Sequence, residues 1–164
     1  MFREMRRKNQ LLTPEETAAV LTRATSGVLA LCDHNGYPYA VPLSYVYFDS
    51  KIYFHCAKTG HKLDALKHCP KASFCVVDQD RVMPGEYTTY FRSVIVFGTI
   101  RPLESDDAKR FAIEKLAQKY APDTDSTRLQ TAIRQEWSAL CILEMAVEHA
   151  TGKEAIELVR ARQK

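Results

Sequence analysis

From Lys51 to Ala57 the side chains alternate between two faces of an extended strand: Tyr53, His55 and Ala57 on one, Ile52, Phe54 and Cys56 on the other. A short Lys-Thr-Gly turn follows, then a helix opening on His61 and Lys62. Upstream, Thr13-Pro-Glu-Glu16 has an N-cap residue, a proline at the first helical position and a glutamate three residues past the cap. That pattern predicts a helix to about Ala24. Gly27 to Asp33 reads as a strand turned by His34-Asn-Gly36, since Asn-Gly accepts positive φ. Tyr37 to Phe48 is aromatic and β-branched but carries Pro38 and Pro42, which remove ladder donors and predict a strand that is bent, bulged or at an edge.

Beyond the helix, Pro70 marks a stop and Ala72 to Val77 a further strand. Asp78 to Glu86 reads as a loop, and Thr88 to Ile100 as a long strand centred on Val94 to Phe97. Helices are predicted from Ser105 to about Tyr120, ended by Pro122, and from Ser126 to Trp137. Ala139 to His149 is a strand, and the tail Lys153 to Lys164 is charged and helix-compatible. Strands joined by tight turns, with helices at the edges, make the chain mainly β with added helices, an antiparallel barrel.

The 164 residues are most simply one domain, 1–164, with a basic N-terminal segment, Met1 to Lys8, and a charged C-terminal tail. No apolar run reaches membrane-spanning length, and the basic start leads into no apolar stretch of a secretory signal. The net charge of +3 is too small for a nucleic-acid binder and suits an anionic small ligand. Cys32, Cys56, Cys69, Cys75 and Cys141 are odd in number and lack paired spacing, so they read as reduced core thiols of a cytoplasmic protein.

The candidate chemistry gathers around the Lys-Thr-Gly turn. A helix start leaves backbone N–H groups unpaired, and Lys58, His61 and Lys62 put cationic side chains beside them, as a phosphate ester requires. The same pattern also describes a solvated helix face with an ordinary cap. His55, at the strand end, can donate protons near neutral pH. Strand alternation separates it from Cys56, and with no recognised ligand spacing among His55, Cys56, His61, His68 and Cys69, no metal site is expected. No Gly-x-Gly-x-x-Gly or Walker motif occurs. The aromatic-proline run offers rings and freed backbone groups to a flat heteroaromatic ligand, or simply a barrel core and rim. Arg92-Ser93 could add polar contacts, and Trp137 reads as a packing residue.

Several ordered segments (Gly36 to Tyr47, Lys51 to Ala57, Gly60 to Ala65, Pro70 to Val77 and Ser93 to Gly98) together resemble the 5-nitroimidazole resistance (Nim) proteins among the pyridoxamine 5′-phosphate oxidase-like flavoproteins. The resemblance runs from Met1 to Ala155. It implies an FMN-binding split β-barrel, a homodimer with FMN at the subunit interface, and reduction of a small nitroaromatic substrate such as a 5-nitroimidazole. It assigns His61 and Lys62 to the FMN phosphate and Pro42, Leu43 and Ser44 to the isoalloxazine. Cys56 and Ala57 fall beside the ribityl chain, and His55 near the flavin. The phosphate pair here is His-Lys where the oxidases carry Arg-Lys, so the His61 contribution depends on protonation. The alternatives are a non-catalytic FMN-binding, storage or sensing protein, and an oxidase of the pyridoxamine 5′-phosphate type.

Overall fold

Helix α1 (Pro14–Arg23) starts where its capping box dictates: Glu16 N–H donates to Thr13 Oγ1 (3.2 Å) and Thr13 N–H to Glu16 Oε2 (2.9 Å). The structure, a computed structural model, describes residues 1–163. Strand β1 (Ser26–Cys32) follows, then the turn with Gly36 at φ +84° and β2 (Pro38–Ser44). A single residue, Tyr45, separates β2 from β3 (Val46–Phe48). Next come β4 (Lys51–Ala57), α2 (His61–His68), β5 (Lys71–Met83), β6 (Thr88–Pro102), α3 (Asp106–Tyr120), α4 (Ser126–Glu136), β7 (Leu140–Glu154) and α5 (Ile156–Arg162). Lys164, in the predicted tail, lies outside the described residues. No described helix is long and apolar enough to cross a membrane.

The seven strands form one antiparallel sheet in the order β2-β1-β5-β6-β7-β4-β3. The prolines therefore lie on an edge strand, where a missing amide costs least. The order also forces the sheet to curl. β2 and β3 hold opposite edges, yet Ser44 and Val46 are two residues apart, at most about 7 Å along the chain. A flat sheet of seven strands would hold its edges roughly 29 Å apart. The curled sheet with helices added is the mainly β split barrel expected from the sequence.

Inside the curl, Leu29, Leu31, Phe54, Phe74, Val76, Val94, Val96, Leu143 and Met145 are fully buried. Phe74 anchors them with edge-to-face contacts to Tyr45 (4.8 Å) and Phe54 (5.1 Å). On the opposite face of β4 and β7, Tyr53 and Ile142 pack under α3 through Ala112 and Leu116. The outer face of β1, β5 and β6 is apolar but uncovered by helices: Val77 is 60% exposed, Val28 and Ile95 42%. Val28, Cys75 and Ile95 are direct cross-strand neighbours there. Phe2, from the basic N-terminal segment, stacks on Phe97 and His149 at one side of this face.

The loop expected from Asp78 to Glu86 is a correction. β5 continues to Met83 and pairs with β6 to Thr88, leaving only a short turn at Pro84–Glu86. The polar residues mislead because one of them, Asp78, is a bulge: Val77 pairs with Ser93 and Gln79 with Arg92, leaving Asp78 unpaired in the ladder. Its carboxylate accepts from Arg23 Nε (2.7 Å) and Nη2 (2.6 Å) and from Arg92 Nη1 (3.3 Å). Arg92 Nε also donates to the buried Glu154 (3.0 Å), which Arg162 contacts as well. The network ties α1, the β5 bulge, β6, β7 and α5 together.

Burial works to raise the Asp78 pKa, but Arg23 and Arg92 outweigh it and hold the carboxyl below its usual range. A carboxyl depressed in the folded state contributes its stability above the unfolded value, near ~3.9, and loses it as pH falls through the folded one. Asp78→Ala is expected to lower the unfolding free energy by about 1–3 kcal/mol at pH 7, toward the lower end because Arg23 is half exposed. The deficit should shrink below about pH 4. Urea midpoints of both proteins across pH check this; a deficit independent of pH would deny the ion pairs their role.

Candidate functional site

β4 and the start of α2 bring the first groups of the site together. β4 pairs with β7 along its whole length, so His55 lies opposite Ile142, Cys56 opposite Cys141 and Ala57 opposite Leu140. The chain then turns at Gly60, whose φ of +132° is open to glycine and strained for other residues. With glycine as N-cap, no side chain satisfies the first turn of α2. The Gly60 carbonyl accepts from Leu63 (2.9 Å) and Asp64 (3.2 Å), and the His61 and Lys62 amides donate to no acceptor among the described residues.

His61 is held in place by a residue that sequence reasoning missed. Its Nε2 lies 2.9 Å from Asp33 Oδ2, and its ring stacks on Tyr39 at 4.0 Å. Asp33 closes β1 and is buried; its other oxygen accepts from the His34 amide (2.8 Å) and meets His34 Nδ1 (2.8 Å). The hydrogen bond from His61 chiefly holds the Asp33 carboxyl down at about 2, against burial and with help from His34. Because the carboxylate occupies Nε2, only Nδ1 of His61 is left for another anion, and it donates only when the ring is protonated.

A cavity of about 830 Å³ opens between the β4–β7 end of the sheet and the α3–α4 pair. Ser44, His55, Cys56, Ala57 and Lys62 line one side of it. The other side is the helical wall: Ile113, Leu116, Ala117 and Tyr120 of α3, with Leu129 and Ile133 of α4. Both helices offer the i, i+3, i+4, i+7 stripe of an amphipathic helix, so the signal was in the sequence but its target was not. Tyr120 fixes the wall to the sheet: its hydroxyl accepts the Tyr45 amide (2.8 Å) and faces the Thr25 and Tyr45 carbonyls. Trp137, at the end of α4, packs beneath the Arg110 guanidinium (5.1 Å) and joins α4 to α3.

The other candidate residues lie elsewhere. Pro42 and Ser44 face outward on β2, while Leu43 between them packs toward the core. Lys58 is exposed in the turn before α2. Ser93 sits on β6 between Val77 and Lys153, on the uncovered outer face and apart from the cavity lining. His55 makes no side-chain hydrogen bond among the described residues, and no three His, Cys, Asp or Glu side chains there gather as metal ligands. An ammonium, an uncapped helix start, a free imidazole and an apolar wall are groups that can hold an anionic, flat-ringed molecule and deliver a proton to it.

A family model for pyridoxamine 5′-phosphate oxidase matches residues 13–154, and the chain belongs to that family. No curated protein matches it in sequence. Among solved structures it is similar to a conserved hypothetical protein from Mycobacterium tuberculosis (TM-score 0.80, 16% identity, covering 92% of this chain and 90% of that one). It is also similar to a candidate 5-nitroimidazole antibiotic resistance protein from Bacteroides thetaiotaomicron (TM-score 0.72, 18% identity, 88% and 86%). A third is a FAD-binding protein from Mesorhizobium loti (TM-score 0.64, 23% identity, 89% and 97%). At these identities the likeness establishes the fold.

Proposed function

We propose that the chain binds FMN and reduces small nitroaromatics such as 5-nitroimidazoles, as a Nim-type member of its family. One observation carries this reading: Ser44, His55, Cys56, Ala57 and Lys62 converge on a single apolar cavity beside an uncapped helix start. These residues fit FMN. Lys62 and the first amides of α2 would hold the phosphate, with His61 adding charge when protonated. Cys56 and Ala57 would flank the ribityl chain, and the outward-facing Pro42 and Ser44 the ring, with Leu43 bracing them from the core. Lys58 would add to the positive field around the phosphate, while Ser93, on the outer face apart from the cavity, would meet a flavin only across a dimer. Bound FMN would supply the electrons for nitro reduction. The chain's own part is to orient the ring, exclude water with the α3–α4 wall and hold a proton on His55 for the nitro oxygens.

The apolar outer face of β1, β5 and β6 supports a homodimer, since Val28, Val77 and Ile95 stay exposed in one chain. Light scattering at micromolar concentration should give twice the chain mass of 18.7 kDa. A single-chain mass with FMN bound would remove the dimer from the proposal.

Purified protein is expected to release FMN, and not FAD, on denaturation and chromatography of the flavin. Lys62→Ala should weaken FMN binding by about 1.5–3 kcal/mol, roughly 10- to 150-fold in Kd. Equal affinity in a fluorescence titration would exclude Lys62 from the phosphate site.

A second reading, FMN binding without turnover, draws on the His55 ring, whose tautomer no neighbour fixes. Anaerobic stopped-flow on flavin-saturated protein separates the two. If His55 delivers the proton, His55→Ala keeps its FMN affinity yet slows reoxidation of the reduced flavin by a nitroimidazole about 10²–10⁴-fold. A mutant as fast as wild type would leave His55 without a role in proton delivery, and a wild type that is not reoxidised favours the binding protein.

A further inference from the structure

Five free cysteines are distributed over the chain, and two of them meet. Cys56 on β4 and Cys141 on β7 are directly opposite in the antiparallel ladder, which runs without a register shift from Lys51 to Ala57. Cys32 is opposite Pro38, and Cys75 lies between Val28 and Ile95. Cys69 caps the end of α2. We propose that Cys56 and Cys141 are a reversible redox pair, a modification site in which a low-molecular-weight disulfide closes a cross-strand disulfide on the wall of the cavity.

Two observations support it. Opposite residues of an antiparallel pair have Cα atoms about 4.5–5.5 Å apart, inside the roughly 4.4–6.8 Å that a disulfide spans. Both side chains are only half buried, and Cys56 lines the cavity, so a small reagent can reach the pair. The Cβ atoms of opposite residues sit about 4.5–5.5 Å apart, wider than the ~3.8 Å of a relaxed disulfide. The bond therefore forms under strain and is readily reduced, the behaviour of a labile disulfide and not of a structural one.

The exchange balances in two steps. One cysteine thiolate attacks a sulfur of the small disulfide, forming a mixed disulfide and releasing one small thiolate. The second cysteine, deprotonated, attacks the protein sulfur of that mixed disulfide and releases the second. The cysteines lose two electrons and two protons together, and the small disulfide gains both as two thiols. Burial and the adjacent sulfur keep the Cys56 thiol protonated, against the weaker pull of Lys62. The pair thus rests as thiols and closes under an excess of oxidant.

The thiol pair is argued from the β4–β7 ladder and not from FMN, and its test reads thiols on the chain both as purified and after removal of any flavin. The purified full chain is incubated with excess oxidised glutathione, denatured and titrated for thiols, then peptide-mapped without reduction. Two of the five thiols are expected to be lost, with a Cys56–Cys141 linked peptide and full recovery after dithiothreitol. Cys141→Ser should give no linked peptide and hold glutathione on Cys56 or leave it free. Five retained thiols, a lasting glutathione adduct without the link, or a link between other cysteines would overturn the proposal. The wild-type map decides by itself, so a variant that fails to fold does not blunt the test.

Discussion

The geometry turns on Tyr45, the one residue between two strands at opposite edges of the same sheet. A linker this short cannot span a flat sheet, so the sheet must curl until its edges approach. The residue is held from both sides. Its hydroxyl donates to the Leu21 carbonyl of α1 (2.7 Å), its ring packs against Phe74, and its amide is taken by Tyr120 of α3. Burial pushes its phenol far above the ordinary range, as expected for a hydroxyl that serves only as a donor in the core.

The site follows from that closure. Holding Tyr45 places Ser44 near the end of β4, and the Tyr120 hydroxyl brings the apolar stripe of α3 against the same end. The cavity is what remains between a sheet end that β7 has already paired and a helical wall pinned by one hydroxyl. Charge then divides by position. Asp33 holds the His61 ring at the sheet side, while Lys62 faces the cavity with no carboxylate bonded to it among the described residues. Of the His-Lys pair only Lys62 lines the cavity.

The curl also leaves the sheet apolar on both faces over β1, β5 and β6. Inward residues fill the core, but Val28, Ile95 and Val77 point outward on strands with no helix above them. Phe2 and the basic N-terminal segment cover part of this surface near Phe97 and His149. The rest is an apolar surface left open in a single chain.

What the sequence determined is what neighbouring residues decide among themselves. The Thr13–Glu16 capping box, the Asn35-Gly36 turn, the bounds of β4 and the start of α2 at Gly60 each rest on a backbone preference within a few residues. The lysine and histidine of the candidate site were legible for the same reason, being strung along one strand, one turn and one helix start. The tertiary structure alone decided the rest. Asp78 is strand and not loop because Arg23, 55 residues away, and Arg92 tie its bulge down. Asp33 reaches His61 across 28 residues, and the stripe on α3 finds its target only when Tyr120 reaches Tyr45, 75 residues earlier. A local pattern fixes which face of an element is apolar or charged; which surface meets that face depends on chain closure, and no short stretch of sequence encodes it.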